Sequence, residues 1–188
     1  MASGSSGTVI RRGDAACLAD LGRCDFSFEV TAELAGRFED GSGGLIVPVV
    51  PPYGKSYGFD ADRLADCLGR PDHALFVSEV DGCPSGYVAV SRGWNNYAII
   101  DDIAVDAGRR QNGAGRLLMD AAVGWAVTAG LAGVHLETQS NNLPACRFYE
   151  RYGFVLGGHD RFLYEALHPG TREVALFWYL LFPTQGGR

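Results

Sequence analysis

Two carboxylates, a glycine-rich turn and a tyrosine are the parts of this sequence whose types and spacing could do chemistry. Asp101 and Asp102 interrupt a run of Ile99, Ile100, Ile103 and Val105, where uncompensated carboxylates would be expensive. A carboxylate in such a place can grip an ammonium ion and accept its proton, directly or through water. The plainer alternative is that one of the pair ties down a loop or a neighbouring strand. Just downstream, Arg110-Gln-Asn-Gly113-Ala-Gly115 has glycines that let the N–H groups of a first helical turn face outward, unhindered by Cβ atoms. That makes a nest for an anionic diphosphate. Arg110 and Arg116 flank it and can pair with phosphate oxygens, whereas Arg109 reads as a solvated neighbour. Tyr149 brings a phenol, ordinarily titrating near about 10, that can donate a proton; otherwise it fills a buried helical stripe with Phe148 and Tyr152.

These groups need rigid carriers. The β-branched residues around the acidic pair read as a buried central strand over 97–105. Leu117, Leu118, Ala121, Ala122, Trp125 and Ala126 recur at helical spacing, with Gly130 as the stop. Adjacent strand residues point to opposite faces, so only one of Asp101 and Asp102 faces a ligand unless a bulge re-aims the other. Further on, Val134, Leu136 and Thr138 alternate with His135 and Glu137 as a strand with two unlike faces. Asn142 then caps a helix: Pro144 lies in its first turn, Ala145, Phe148, Tyr149 and Tyr152 share a stripe, and Gly153 ends it. The R-x-x-G-x-G spacing differs from the G-x-G-x-x-G of dinucleotide binders, and the Lys-[Ser/Thr] of a P-loop is missing.

The strand, R-x-x-G-x-G turn and helix resemble the pyrophosphate-binding loop of the GCN5-related N-acetyltransferases, or GNATs, whose ligand is acetyl-CoA. The pattern N-x-x-A-x-x-F-Y-x-x-x-G-F from Asn142 to Phe154 resembles that family's other signature, in which the tyrosine reaches the sulfur of CoA. Finding both in order is far more specific than either alone. The strings PPYGKSY, WNNYAIIDDIAVD, LETQSNN and EVALFWY look like those of the streptothricin acetyltransferases, a GNAT branch that inactivates a cationic peptidyl-nucleoside antibiotic. The resemblance runs over 51–182 and is thin before that. It implies an α/β GNAT fold: a mixed, mostly antiparallel central sheet, splayed at the acetyl-CoA site and flanked by helices, as a single domain over 8–183. One departure is Asn112, where relatives often carry a basic residue or glycine. Asparagine tolerates unusual backbone angles, so the nest is expected to survive.

The same resemblance implies transfer of an acetyl group from acetyl-CoA to an amine of the antibiotic's β-lysine chain. By it, Asp101 contacts the acceptor and takes its proton, with Asp102 second. Backbone N–H groups around Ile103, Ala104 and Val105 stabilise the thioester oxygen, and Tyr149 protonates the departing thiolate. Arg110, Gln111, Asn112, Gly113, Ala114, Gly115 and Arg116 hold the diphosphate, while Asn142, Ala145, Phe148 and Tyr149 line the pantetheine arm. Tyr53, Tyr57, Trp94, Glu137 and Tyr164 are candidates for the acceptor cavity; Tyr53, Lys55 and Tyr57 could wall a substrate pocket or merely cover the sheet, and Trp94 could be core. Fold and cofactor do not fix the acceptor. A GNAT acting on a polyamine, an aminoglycoside or a protein amine therefore stands as an alternative, as does a non-catalytic acyl-CoA-binding module, although a binder needs neither the acidic pair nor Tyr149.

The chain of 188 residues, 47% hydrophobic and 20% charged, fits one domain with a substantial core. A net charge of −6 argues against nucleic acid and favours a cationic partner. No apolar run approaches the roughly 20 residues of a membrane span, and the start lacks a signal-peptide pattern, so a cytoplasmic protein is expected. The aromatic segment 176–182 could complete the sheet or meet a partner chain, leaving monomer or homodimer open. Five cysteines without a C-x-x-C pair or histidine cluster support neither a disulfide scaffold nor a metal site; Cys146 reads as packing and His135 as structural. Elsewhere the patterns predict a strand at 8–12, a helix at 14–22, a strand at 26–30 and a hairpin over 38–48 broken by glycines. They also predict an extended aromatic loop over 51–58, because adjacent prolines forbid helix. A helix follows from its Asp60 cap to Leu68, then strands at 74–80 and 86–91 joined by DGCPS. The ends, 1–7 and 184–188, read as disordered tails.

Overall fold

The computed structural model describes residues 7–36, 38 and 44–183. The expected tails, apart from Gly7, and most of the glycine-rich stretch before Gly44 lie outside those residues. In chain order the elements are β1 (Val9–Arg12), α1 (Ala15–Leu21), β2 (Phe28–Ala35), β3 (Leu45–Lys55), α2 (Ala61–Ala65), β4 (His73–Val80) and β5 (Cys83–Arg92). They continue as β6 (Ala98–Val105), a 3-10 turn (Ala107–Arg109), α3 (Ala114–Thr128), β7 (Gly133–Gln139), α4 (Leu143–Tyr152), β8 (Val155–Asp160) and β9 (Ala175–Leu181). By contacts the chain forms two compact units, Met1–Ser27 with Ser56–Ala132, and Phe28–Lys55 with Gly133–Arg188. No helix of the described residues is long and apolar enough to cross a membrane.

The first unit is an antiparallel sheet in the order β1-β4-β5-β6. Residues 85–91 of β5 are buried without a break, the pattern of a strand covered on both faces. Tyr87 and Ala89 join Leu75 and Val77 in a core with Cys17, Leu18 and Leu21 of α1 and Leu64 of α2. Alternation turns Val88 and Val90, both 0% exposed, toward the other face, where α3 packs on β4, β5 and β6. The helix buries Ala114, Leu118, Met119, Ala122 and Ala126; Leu117, assigned to its apolar stripe from spacing, is instead 39% exposed. Gly130 follows with φ +67, the left-handed stop that its position predicts.

Two boundaries differ from the sequence reading for local reasons. The β4–β5 turn is only Asp81-Gly82, with φ 54 and 76, the two left-handed residues that a tight hairpin needs. The rest of DGCPS belongs to β5 and absorbs a register shift between Ser78 and Glu79. Helix α2, capped by Asp60 accepting from the Arg63 N–H at 3.0 Å, ends early. Cys67 and Leu68 donate three residues back, to Leu64 and Ala65, so the final turn tightens to 3-10 geometry.

In the second unit β7-β9-β8 pair antiparallel, and β2 and β3 form a separate two-stranded ladder. The hairpin thus joins 28–35 to 45–55 rather than spanning 38–48. Most of the residues expected to form an extended loop, 51–55, are strand. Prolines exclude helix but not an extended edge; the register jumps from Val30↔Tyr53 to Ala32↔Pro48, so Pro51 and Pro52 sit where no ladder bond is required of them. Helix α4 packs on β2.

Gly86 sets the spacing of β5 and β6. A Cβ there would lie 2.7 Å from the Ala104 carbonyl oxygen and 3.1 Å from the Val105 Cα. Both are backbone atoms that cannot swing aside. Gly86→Ala is expected to destabilise the protein by about 1–3 kcal/mol through overpacking, read from the midpoint of urea unfolding at unchanged slope.

Candidate active site

In the first unit the acidic pair, the glycine turn and α3 form one continuous segment. Opposite β5 the register passes from Ala89↔Asp102 to Val90↔Ile100, so Asp101 is the additional residue of a β-bulge. A bulge interrupts strict alternation and re-aims side chains, which is how two neighbouring carboxylates are accommodated in an otherwise apolar strand. The Tyr87 hydroxyl donates to Asp102 Oδ2 at 2.7 Å. Tyr87 is 1% exposed, its ring held by near-perpendicular contacts with Phe26 at 5.3 Å and Phe59 at 5.8 Å. Burial pushes the Asp102 carboxyl above the ordinary range, against the Tyr87 bond and the nearby Arg63 guanidinium, which pull it down. Burial likewise raises the Tyr87 phenol. Arg63 also donates to the Asp101 carbonyl oxygen at 3.4 Å. Asp102 is thus tied to the neighbouring strand through Tyr87.

Beyond β6, Asp106 accepts from the backbone N–H groups of Gly108 at 3.0 Å and Asp25 at 2.9 Å, anchoring the 3-10 turn. Arg110 Nε donates to the Val105 carbonyl at 3.0 Å, so this arginine braces the strand end. Gln111 and Gly113 adopt positive φ, 65 and 83. Of the residues before Gly113, the left-handed angle falls on Gln111, beside the tolerant Asn112. Gly113 is the N-cap of α3 and supplies no side-chain acceptor. The first-turn amides, at the positive end of the helix dipole, have no capping side chain, the arrangement that receives anions. Arg116 is mostly exposed, 4.0 Å from Asp120. Trp94 is 97% exposed in the turn before β6, at the opposite end of that strand from the glycine turn, so the core alternative fails. Tyr57, also in this unit, is 54% exposed.

The second unit carries the helix with the tyrosine. Asn142 Oδ1 accepts from the Ala145 N–H at 3.3 Å, Pro144 lies in the first turn, and Gly153 closes α4 at φ +114. Tyr149 is 6% exposed, its ring 5.5 Å from Phe148, 5.8 Å from Phe154 and 6.4 Å from Trp178. The aromatic stripe is therefore real packing, whatever else the hydroxyl does. Ala145 and Phe148 are half-buried beside it. Cys146, 2% exposed, has its thiol pushed up to about 12 by burial, which suits a small packed hydrophobe and not a nucleophile. On β7 Glu137 accepts from the Tyr164 hydroxyl. The residue as a whole is exposed, yet crowding around the carboxyl raises its pKa, against that hydrogen bond and the Lys55 charge. His135 stacks on Tyr179 at 5.3 Å, in keeping with a structural role.

Sequence reasoning missed Tyr87, Asn141 and Glu173. Tyr87 pairs with Ala104 in register and so lies diagonal to Asp102, a relation legible only once the hairpin register is known. Asn141, Lys55 and Glu173 form a polar cluster around Tyr53, between residues too far apart in the chain to be matched by pattern. No group of metal-ligating side chains occurs among the described residues, and all five cysteines are free thiols.

Residues 47–154 match the acetyltransferase (GNAT) family. The chain belongs to that family. It is 36% identical to streptothricin acetyltransferase A of Bacillus subtilis (strain 168), over 70% of this chain and 75% of that protein. It is also 36% identical to a streptothricin acetyltransferase of Escherichia coli, over 69% of this chain and 71% of the relative. Among solved structures it is similar to a Bacillus anthracis str. Ames protein described as a streptothricin acetyltransferase, in complex with acetyl coenzyme A. The TM-score is 0.83 at 35% identity, covering 94% of this chain and 100% of the other. This enzyme is an acetyltransferase with the GNAT fold: a mixed α/β structure with a mostly antiparallel central sheet flanked by helices.

In this GNAT enzyme the Tyr87–Asp102 bond makes a signed prediction. Asp102 holds its proton more readily folded than unfolded. Its contribution to stability is therefore full below the unfolded-chain pKa and is lost as pH rises through the raised folded value. Tyr87→Phe removes a bond that favours the carboxylate, so the Asp102 titration, followed by carboxyl NMR, should move to higher pH. The pH at which that contribution disappears should move with it.

Proposed function

We propose that this acetyltransferase uses acetyl-CoA to acetylate an amine of a streptothricin-like antibiotic on its β-lysine moiety, in the cytoplasm, by direct transfer and without a metal. The observation that carries the reading is the likeness to streptothricin acetyltransferases over about 70% of the chain, joined to the uncapped start of α3 at Gly113. The net charge of −6 suits a cationic acceptor.

The chain's own residues divide the work. The amides at the start of α3, from Gly113 through Ala114 and Gly115 to Arg116, hold the diphosphate, with Arg110, Gln111 and Asn112 shaping the turn. Asn142, Ala145 and Phe148 line the pantetheine arm. A lysine-like ammonium, ordinarily titrating near about 10.4, must lose a proton before it can attack. Asp101, the bulged residue, holds the acceptor and takes that proton, while Asp102, fixed by Tyr87, keeps a second carboxylate beside it. Backbone N–H groups around Ile103, Ala104 and Val105 stabilise the negative charge that develops on the thioester oxygen. Tyr149 donates its proton to the departing thiolate and regains one from solvent afterwards. Tyr53, Tyr57, Glu137, Tyr164 and Trp94 form the acceptor side, where an exposed indole can stack on a cationic group.

A thiol-release assay with acetyl-CoA and a panel of streptothricin, spermidine, kanamycin and a lysine peptide tests the acceptor; turnover confined to streptothricin is expected, and turnover with none would leave only an acyl-CoA binder. In the same assay Tyr149→Phe should lower kcat by about 100-fold or more, the scale of general acid catalysis, with little change in KM. Unchanged turnover at saturating substrate would remove Tyr149 from the mechanism.

A further inference from the structure

Lys55, which the sequence offers with Tyr53 and Tyr57 as a residue that walls a pocket or covers the sheet, has a side chain only 16% exposed that pairs with Glu173 in the second unit. Its Nζ donates to Glu173 Oε1 at 2.6 Å and to Asn141 Oδ1 at 3.5 Å. Asn141, 1% exposed, uses its amide nitrogen twice, donating to the same Glu173 oxygen at 2.8 Å and to the Tyr53 hydroxyl at 2.9 Å. Sequence separations of 118, 88 and 32 residues are closed by these bonds. Tyr53 keeps 43% of its surface exposed, so a half-buried ion pair ends on the hydroxyl of a solvent-facing ring.

We infer that Lys55, Glu173 and Asn141 form a positioning network that orients Tyr53 for acceptor binding. The inference rests on the proposed acetyl transfer and on Tyr53 belonging to the acceptor side. The logic is electrostatic. Two groups donate to one half-buried carboxylate oxygen, one of them a charged ammonium, the shorter and stronger kind of hydrogen bond. With both partners present, the Asn141 amide is fixed in the one orientation that also reaches Tyr53. Without Lys55, the carboxylate is left with the amide alone, and the amide is no longer held from its oxygen side.

The neighbouring backbone does not depend on the network. Ser140 N–H donates to the Val174 carbonyl at 2.9 Å, Leu34 N–H to the Ser140 carbonyl at 2.9 Å, and Val174 N–H to Ser140 Oγ at 3.1 Å. The Asn142 cap on Ala145 is separate again. Loss of the network should thus leave α4 and Tyr149 in place and act on the acceptor.

The test is steady-state acetylation of streptothricin by wild type, Lys55→Met, Glu173→Gln, the double variant and Tyr53→Phe, with thermal unfolding of each. The expected result is a rise of about tenfold in acceptor KM for each single variant, with kcat and the acetyl-CoA KM within about twofold of wild type. The double variant should lose no more than either single one, because the two residues act as a unit, and Tyr53→Phe, which keeps the ion pair, should reproduce the same KM rise. Additive losses, a fall in kcat at unchanged KM, an unchanged acceptor KM, or a KM that follows thermal stability and not the network would overturn the inference. Lack of transfer by wild type would instead overturn the acetyl-acceptor reading and this inference with it.

Discussion

Carboxylates are expensive in a strand that lies within a sheet unless they are compensated, and much of the first unit follows from how β6 accommodates two adjacent ones. Alternation alone would send Asp101 and Asp102 to opposite faces. The bulge at Asp101 breaks the alternation, and Tyr87 satisfies Asp102 from the neighbouring strand. Gly86, next to Tyr87, lets β5 come close to the Ala104 and Val105 backbone. The close approach, the buried tyrosine and the bulged acid are parts of one arrangement.

The glycine turn obeys a complementary constraint. A helix that starts without a side-chain cap leaves N–H groups wanting an acceptor, which is ordinarily a flaw. Here Gly113 in the left-handed region begins α3 without one, while the preceding residues are held firmly: Asp106 anchors the 3-10 turn and Arg110 braces the end of β6. A rigid approach to an uncapped helix favours an anion over a mobile loop end, in keeping with a family whose donor is an acyl diphosphate thioester. The arginine that spacing marks as a phosphate partner contributes by fixing the turn.

In the second unit the polar groups are organised around packing. Tyr149 belongs to an aromatic cluster with Phe148, Phe154 and Trp178, so its ring is held even if its hydroxyl reacts. Buried Cys146, with its thiol pushed up to about 12, shows the same surroundings silencing a competing nucleophile. Nearby, Lys55 and Glu173 form a half-buried charge pair whose hydrogen bonds run to the surface through Asn141.

What sequence determined by itself was local. The glycine spacing, the caps at Asp60 and Asn142, the stops at Gly130 and Gly153 and the period of α3 depend on residues within a turn of one another, and each reappears in the structure. The two family signatures were legible for the same reason, as contiguous strings. Only tertiary structure decided that Asp101 is the bulged residue, that Tyr87 holds Asp102, that Gln111 and not Asn112 takes the left-handed angle, that most of the proline-rich loop is strand, and that Trp94 stands in solvent. These outcomes turn on strand register, on contacts between residues far apart in the chain and on competition for buried space, none of which is encoded in the spacing of neighbours.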